Sequence, residues 1–310
     1  MLSEGKMRNL VRNKAKEYQV APQQMYSLFG LEEVLKRLAD SPYKDHLIIK
    51  GGFLLSTMYG LENRSTMDLD TTVQKMKLDR GFIDQLSAYL EQPYEDGSIH
   101  FQTKKVRETR INFDYSGFNL KLEFLNGAVK IPIDLDITTG EMILPAVEKD
   151  LPLLFGEGTI QMPAYQTEQI LADKLYTTLA YGAIDDTNSR TKDLYDIYYL
   201  STFQPDLNYQ KVRSAVEKSI IQREQNIKPD SFLDIFQKLK GSERQHKNWE
   251  NYRLDYAYAV GVTSDQMFKA LEGTLTKTFP EILREKSQTV QHEKTIQRTH
   301  EQNRDQVYHR

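Results

Sequence analysis

The sequence predicts an α/β (α+β) fold in which a strand-bearing lobe precedes a helical one. Three observations carry this. Short apolar runs alternate with helix-period segments early in the chain. Apolar–polar alternation dominates residues 99–137. Beyond about Pro163 the apolar positions recur almost only at helical spacing. In order, Met7–Tyr18 and Pro22–Ala39 read as helices. The second places Met25, Leu28, Phe29, Leu31, Val34, Leu35 and Leu38 at helical intervals before Ser41-Pro42 ends it. His46–Ile49 is a buried strand, Gly51-Gly52 breaks it, and Phe53–Tyr59 is a short helix. Asp68–Val73 is a second strand and Asp79–Leu90 an amphipathic helix. Leu120, Leu122 and Phe124 alternate with polar neighbours, as do Ile131, Ile133, Leu135 and Ile137, and Asn126-Gly127 between them signals a hairpin. Glycines and prolines over 151–163 suggest a boundary. The organisation expected is a core lobe over 1–160, a helical lobe over 161–286 and a polar tail over 287–310, where His292, His300 and His309 are solvated.

Composition excludes several classes. Apolar residues make up 39% of the 310 and charged residues 27%, which fits a folded chain rather than a disordered one. No apolar stretch approaches the length of a transmembrane helix, and Met1-Leu2-Ser3-Glu4-Gly5-Lys6 opens no signal peptide. The absence of cysteine removes disulfides, thiolate metal sites and cysteine nucleophiles, and it fits a cytoplasmic location. A net charge of -3 leaves nucleic-acid contact to local basic patches. The densest is Lys104-Lys105-Val106-Arg107 with Arg110; Arg8, Arg12, Lys14 and Lys16 line the first helix. Each reads either as a solvated face or as a contact. Tyr195, Tyr198 and Tyr199 read either as packing or as base-stacking platforms.

The chemistry centres on Lys50-Gly51-Gly52 and Arg64-Ser65-Thr66-Met67-Asp68-Leu69-Asp70. A strand ending in two glycines that open a helix lets backbone amides approach a phosphate, and the helix N-terminus favours the anion. On a strand, Asp68 and Asp70 project to one face with Leu69 turned inward. Two adjacent carboxylates repel, and a divalent cation such as magnesium holds them ionised. A third carboxylate is expected from Asp134 or Asp136 on the alternating strand 131–137. Ser56 is a poor nucleophile candidate, because His46 has no evident acid partner.

Two later helices carry charge on apolar faces. Over Thr167–Tyr181 the inward arc of Ile170, Leu171, Leu175, Thr178 and Leu179 includes Lys174. Over Lys192–Leu200, Asp193 lies between the inward Leu200 and Ile197, and Asp196 sits at the arc edge as a structural residue. A charge on a core face is costly unless it is paired or functional. Lys174 and Asp193 are therefore read as a buried ion pair, as catalytic groups of a nucleotide cleft between the lobes, or as both. Lys174 would then bind phosphate or help the leaving group, and Asp193 would position it or act as a polar catalytic group.

These motifs together resemble the polymerase-β-like nucleotidyltransferases and, more specifically, the AbiEii family of nucleotidyltransferase toxins from abortive-infection and toxin–antitoxin systems. Lys50-Gly51-Gly52 with Arg64-x-Thr66-x-Asp68-Leu69-Asp70 looks like the family's first motif. Ile133-Asp134-Leu135-Asp136-Ile137-Thr138-Thr139-Gly140-Glu141 is similar to its acidic strand and Gly-acid turn. Glu168–Leu175 and Asn188–Asp196 are similar to its downstream, more specific motif, so the likeness spans roughly 47–200. Gly-Gly replaces a commoner Gly-Ser, and Asp173 a commoner Glu.

The resemblance implies a mixed-sheet core with a helical C-terminal lobe. It implies transfer of a nucleoside monophosphate from an NTP with Mg²⁺ or Mn²⁺, to the 3′ end of tRNA. It favours Asp136 as the third ligand beside Asp68 and Asp70, and it places Lys50, Gly51, Gly52, Arg64 and Thr66 at the nucleotide. It further implies a cognate antitoxin encoded nearby, while the lack of a long apolar stretch gives the expectation of no membrane partner. Two other readings stay open: transfer to a small molecule or protein, and a non-catalytic nucleotide-binding module.

Overall fold

Alternation in the sequence becomes a single mixed sheet. The computed structural model describes residues 2–61, 66, 68–94, 97, 99–109, 116–185, 190–223 and 227–282. Arg64, Arg110, Asn188-Ser189 and the tail over 287–310 with its histidines lie outside the described residues. The strands are β1 (Leu47–Lys50), β2 (Asp68–Val73), β3 (His100–Thr109), β4 (Gly117–Asn126), β5 (Val129–Thr139), β6 (Val147–Pro152) and β7 (Thr159–Ala164). Their order across the sheet is β3-β4-β5-β2-β1-β7-β6. β2 runs parallel to β5, β1 runs parallel to β7, and the other neighbours are antiparallel. The β4–β5 turn is the two-residue loop Gly127-Ala128. Gly127 at φ +59 takes its first position, one residue beyond the Asn-Gly centre that the sequence suggests.

The helices are α1 (Glu4–Glu17), α2 (Pro22–Ala39), α3 (Gly51–Tyr59), α4 (Arg80–Leu90), α5 (Thr167–Ile184), α6 (Thr191–Phe203), α7 (Tyr209–Gln222), α8 (Phe232–Gly241), α9 (Glu243–Asp255) and α10 (Ser264–Thr278). The chain divides into two compact units, 1–170 and 171–310.

In the first unit, α2 lies on the apolar face of the sheet. Gly30 lets it approach so closely that a Cβ there would stand 2.9 Å from Ile133 Cδ1. Leu69, Leu120 and Leu135 all point to that face and are fully buried. Such burial contributes about 1.5–3 kcal/mol per side chain. The opposite face takes the polar members of each alternation. Residues 151–163, where the glycines and prolines suggest a boundary, lie within the sheet. They close the β6–β7 hairpin, with Ile160, Met162 and Ala164 buried in alternation.

The second unit is helical around Trp249, Phe232, Phe236, Phe268 and Phe279, and the Trp249 indole donates to the Val262 carbonyl at 3.0 Å. Tyr195 belongs to this core. Its ring lies 4.9 Å from Tyr258 and 6.5 Å from Trp249, so it is packing and not a platform for a base.

Candidate active site

Register builds the site. Lys50 on β1 stands opposite Asp70 on β2, Asp70 opposite Asp136 on β5, and Asp136 opposite Asn119 on β4. Directly opposed residues share a face of the sheet. One row therefore reads Lys50, Asp70, Asp136, Asn119. The next row reads Asp68, Asp134, Lys121. Asp68 is exposed, while Asp70, Asp134 and Asp136 are half-buried.

The two acids of β5 are held differently. Asn119 Nδ2 donates to Asp136 Oδ1 at 2.8 Å, whereas Asp134 Oδ1 accepts the Lys121 ammonium at 2.9 Å. The same amide lies 3.4 Å from Asp134 Oδ1, but among the described residues no ion pair compensates the Asp136 charge. The ammonium neutralises that of Asp134.

Gly51 follows Lys50 in the left-handed region at φ +71, where a side chain is strained. It faces the row: a Cβ on it would fall 2.1 Å from Asp70 Oδ2. The turn and the carboxylate thus occupy one space that only glycine permits. Gly52 is buried in the first turn of α3. That helix has no side-chain cap and no acid in its first turn, so its leading amides offer donors to an anion.

Lys50 is placed otherwise than a phosphate ligand in open solvent. Its ammonium donates to both Glu141 oxygens at 2.8 Å and to Thr138 Oγ1 at 2.7 Å, and the Tyr165 hydroxyl donates to Glu141 Oε2 at 3.2 Å. The network ties the end of β1 to the end of β5. Thr66 is buried just before β2. Ser56 is buried and donates to the Phe53 carbonyl at 2.9 Å.

In the second unit, the ion pair anticipated from the helical wheels is formed. Lys174 Nζ lies 2.6 Å from Asp193 Oδ1 and 2.9 Å from Asp196 Oδ2. Asp196 is only 1% exposed and is a full partner of the lysine, which its position at the edge of the wheel did not reveal. Arg190 Nη1 reaches Asp193 Oδ2 at 3.2 Å and stacks over Tyr181 at 4.1 Å. Burial pushes the Lys174 ammonium down, but the carboxylates of Asp196 and Asp193 outweigh it, so its pKa is raised above that of an ordinary lysine. It is a permanent cation at neutral pH and not a base. Among the described residues, two of its three N–H donors are used.

The donor set of Asp68, Asp70 and Asp136 is all oxygen and suits a hard divalent cation. Register places these acids at neighbouring positions of one face, and the bare Gly51 admits the Asp70 carboxylate against the turn. The residues therefore fit such an ion by donor chemistry and by their places in the strand register. Among the described residues, no three acidic or histidine side chains already converge as a ligand cluster.

A mixed sheet carrying strand, Gly-Gly, helix and Asp-x-Asp, with further acids in register on a parallel neighbour, is the arrangement that the resemblance to nucleotidyltransferases implies. Residues 33–285 match the family described as "Nucleotidyl transferase AbiEii toxin, Type IV TA system", and the chain belongs to that family. It is thus a nucleotidyltransferase of a type IV toxin–antitoxin system, a class that uses an NTP and a divalent metal and has a partner antitoxin. Among solved structures, it is similar to MenT4, a nucleotidyltransferase toxin from Mycobacterium tuberculosis H37Rv. The TM-score is 0.54 at 16% identity, covering 87% of this chain and 98% of that one. At that identity the likeness speaks to the fold alone. JHP933 from Helicobacter pylori gives a TM-score of 0.43 at 15% identity over 88% of this chain and 99% of that one. No curated protein matches the chain. Among the described residues no helix is long and apolar enough to cross a membrane.

Proposed function

We propose that the chain transfers a nucleoside monophosphate from an NTP to an RNA acceptor in the cytoplasm, with the 3′ end of tRNA as the leading target. The observation that carries this is the row Lys50, Asp70, Asp136, Asn119 beside the uncapped, glycine-led N-terminus of α3.

In the reaction, the acceptor hydroxyl oxygen attacks the α-phosphorus. The new P–O bond forms as the α–β bridging bond breaks, pyrophosphate leaves with the electron pair, and the hydroxyl proton passes to solvent. Asp68, Asp70 and Asp136 would hold Mg²⁺ or Mn²⁺, whose Lewis acidity favours ionisation of the hydroxyl and offsets charge on the departing pyrophosphate. The Gly51-Gly52 turn binds the β- and γ-phosphates through backbone amides, and Arg64 and Thr66 belong to the same nucleotide site. Lys50, clasped by Glu141, fixes the turn against β5. Lys174 is assigned to phosphate or leaving-group binding through its remaining donor, and Asp193 to positioning it.

The test incubates purified protein with total tRNA, Mg²⁺ and each labelled NTP, with an Asp68→Ala, Asp70→Ala protein alongside. Label on tRNA that is lost in the variant supports the reading. No label from any NTP, from a protein still toxic on expression, sends the acceptor to proteins or small molecules.

A further inference from the structure

The polar face of the sheet continues past the carboxylates onto β4 and the edge strand β3. Arg107 stands opposite Asn119 and so extends the Lys50–Asp70–Asp136 row. Lys105 stands opposite Lys121 and extends the Asp68–Asp134 row. At ~4.8 Å per strand, the edge lies about 14 Å from β2.

Two features set this strip apart from a merely solvated face. The register shifts between Thr103 and Lys105, a bulge that leaves Lys104 as the extra residue. On an unbroken strand consecutive side chains point to opposite faces. Here Lys104 reaches Glu123 on the polar face at 3.2 Å, and Lys105 shares that face with Lys121. The bulge therefore gathers two consecutive lysines on one side. Second, Lys105 and Lys121 are directly opposed like charges, an arrangement that destabilises a strand pair. Asp134 relieves Lys121, but Lys105 and Arg107 have no ion-pair partner among the described residues. A retained local conflict of this kind is expected where a ligand resolves it.

That ligand must also tolerate the neighbourhood. Four aspartates share the adjoining face, so a polyanionic acceptor is repelled unless cations lie alongside its path. Lys105 and Arg107 are two residues apart on one strand, about 6.8 Å, close to the spacing of successive phosphates on an extended nucleic-acid strand.

We propose that Lys105, Arg107 and Lys121, with Lys104 brought in by the bulge, form the track that binds the acceptor's phosphodiester backbone and leads its end to the Asp70–Asp136 row. The inference rests on the nucleotide-transfer reading for its purpose, and its binding is measured without NTP.

The experiment measures the affinity of the full chain for a fluorescent single-stranded RNA 20-mer and for unfractionated tRNA across salt, in wild type and in Lys105→Gln, Arg107→Gln. Both residues are exposed, so the variant keeps the fold, which its melting curve checks. Loss of two phosphate contacts makes the salt slope shallower by about 1.4 for the single strand, equivalent to about 25-fold weaker binding at 0.1 M salt. An unchanged slope and affinity, or no RNA binding by wild type at low salt, overturns the proposal. So does a wild type that binds poly-glutamate as tightly as RNA and loses it in the variant, which makes the strip a docking site for acidic protein. The two readings fail separately. RNA bound as expected with no transfer from any NTP removes the transfer and keeps the track. Transfer to RNA with an unaltered slope does the reverse.

Discussion

Replacing Gly51 by alanine removes no charge and no ligand, yet it strikes the candidate metal site directly. The substituted residue must hold φ +71, which costs about 1–2 kcal/mol for an L-residue. Its Cβ would start 2.1 Å from Asp70 Oδ2, where ordinary contact begins at 3.4 Å, so the carboxylate must swing by about 1.3 Å. Asp70 cannot retreat with its backbone, because β2 is paired on both sides, to Lys50 and to Asp136. The movement is therefore a side-chain rotation away from its preferred well, adding about 0.5–1.5 kcal/mol. The expected outcome is a loss of about 2 kcal/mol, or roughly 4–8 °C in melting temperature. Misplacing a catalytic group by about 1 Å costs about a hundredfold in rate, so nucleotide incorporation falls by that factor and Mn²⁺ affinity weakens with it. Gly5→Ala on α1, where a Cβ meets nothing within 4 Å, is the control and leaves both unchanged. A Gly51→Ala protein with normal Mn²⁺ titration and normal incorporation would falsify the shared-space argument, whatever its melting temperature.

The other expectations follow from the same geometry. Asp136→Asn lowers incorporation about a hundredfold or more, since metal ligation contributes several kcal/mol to the transition state, while Asp134→Asn changes it less than about threefold; equal losses in the two variants refute the assignment of Asp136. Lys174→Met removes the ammonium that the carboxylates of Asp193 and Asp196 share and destabilises the second unit by about 3–5 kcal/mol in urea unfolding, and adding Asp193→Asn with Asp196→Asn restores much of it. Because the Lys174 pKa is raised in the fold, its stabilisation is fully present below the ordinary lysine value of 10.5 and is lost as pH climbs through the folded value. Melting temperature against pH should therefore fall more steeply above 10.5 in wild type than in the triple variant. Glu141→Gln weakens the clasp on Lys50, lowers stability by about 1–3 kcal/mol and raises the apparent KM for NTP, read from initial rates.

Much of this architecture was legible in local pattern. Helix α2 begins and ends where the periodicity of Met25 through Leu38 and the Ser41-Pro42 stop place it, and β2 spans Asp68–Val73 as its alternation suggests. The inward arcs of α5 and α6 brought Lys174 and Asp193 together because burying either charge alone is prohibitive. What was missed depends on contacts far apart in sequence. The β6–β7 hairpin hides behind its prolines and glycines, since pairing with β1 and not intrinsic preference holds it in the sheet. Asn119 stands beside Asp136 only through the β4–β5 register, and Lys50 meets Glu141 across ninety-one residues. Nothing in the Lys104-Lys105 doublet announces a bulge.

The parallel pairing of β2 with β5 has a consequence for how such a chain is made. Asp70 and Asp136 meet across sixty-six residues, a separation the Thr72–Thr138 pair of the same ladder shares. During synthesis the Asp-x-Asp segment emerges long before its partner strand, and long-range pairing is the slow part of folding. A fragment ending before β5 carries the glycine turn and two acids but cannot assemble the row. The ordering of strands thus acts as a delay, because the carboxylate row exists only once β5 has been made and paired.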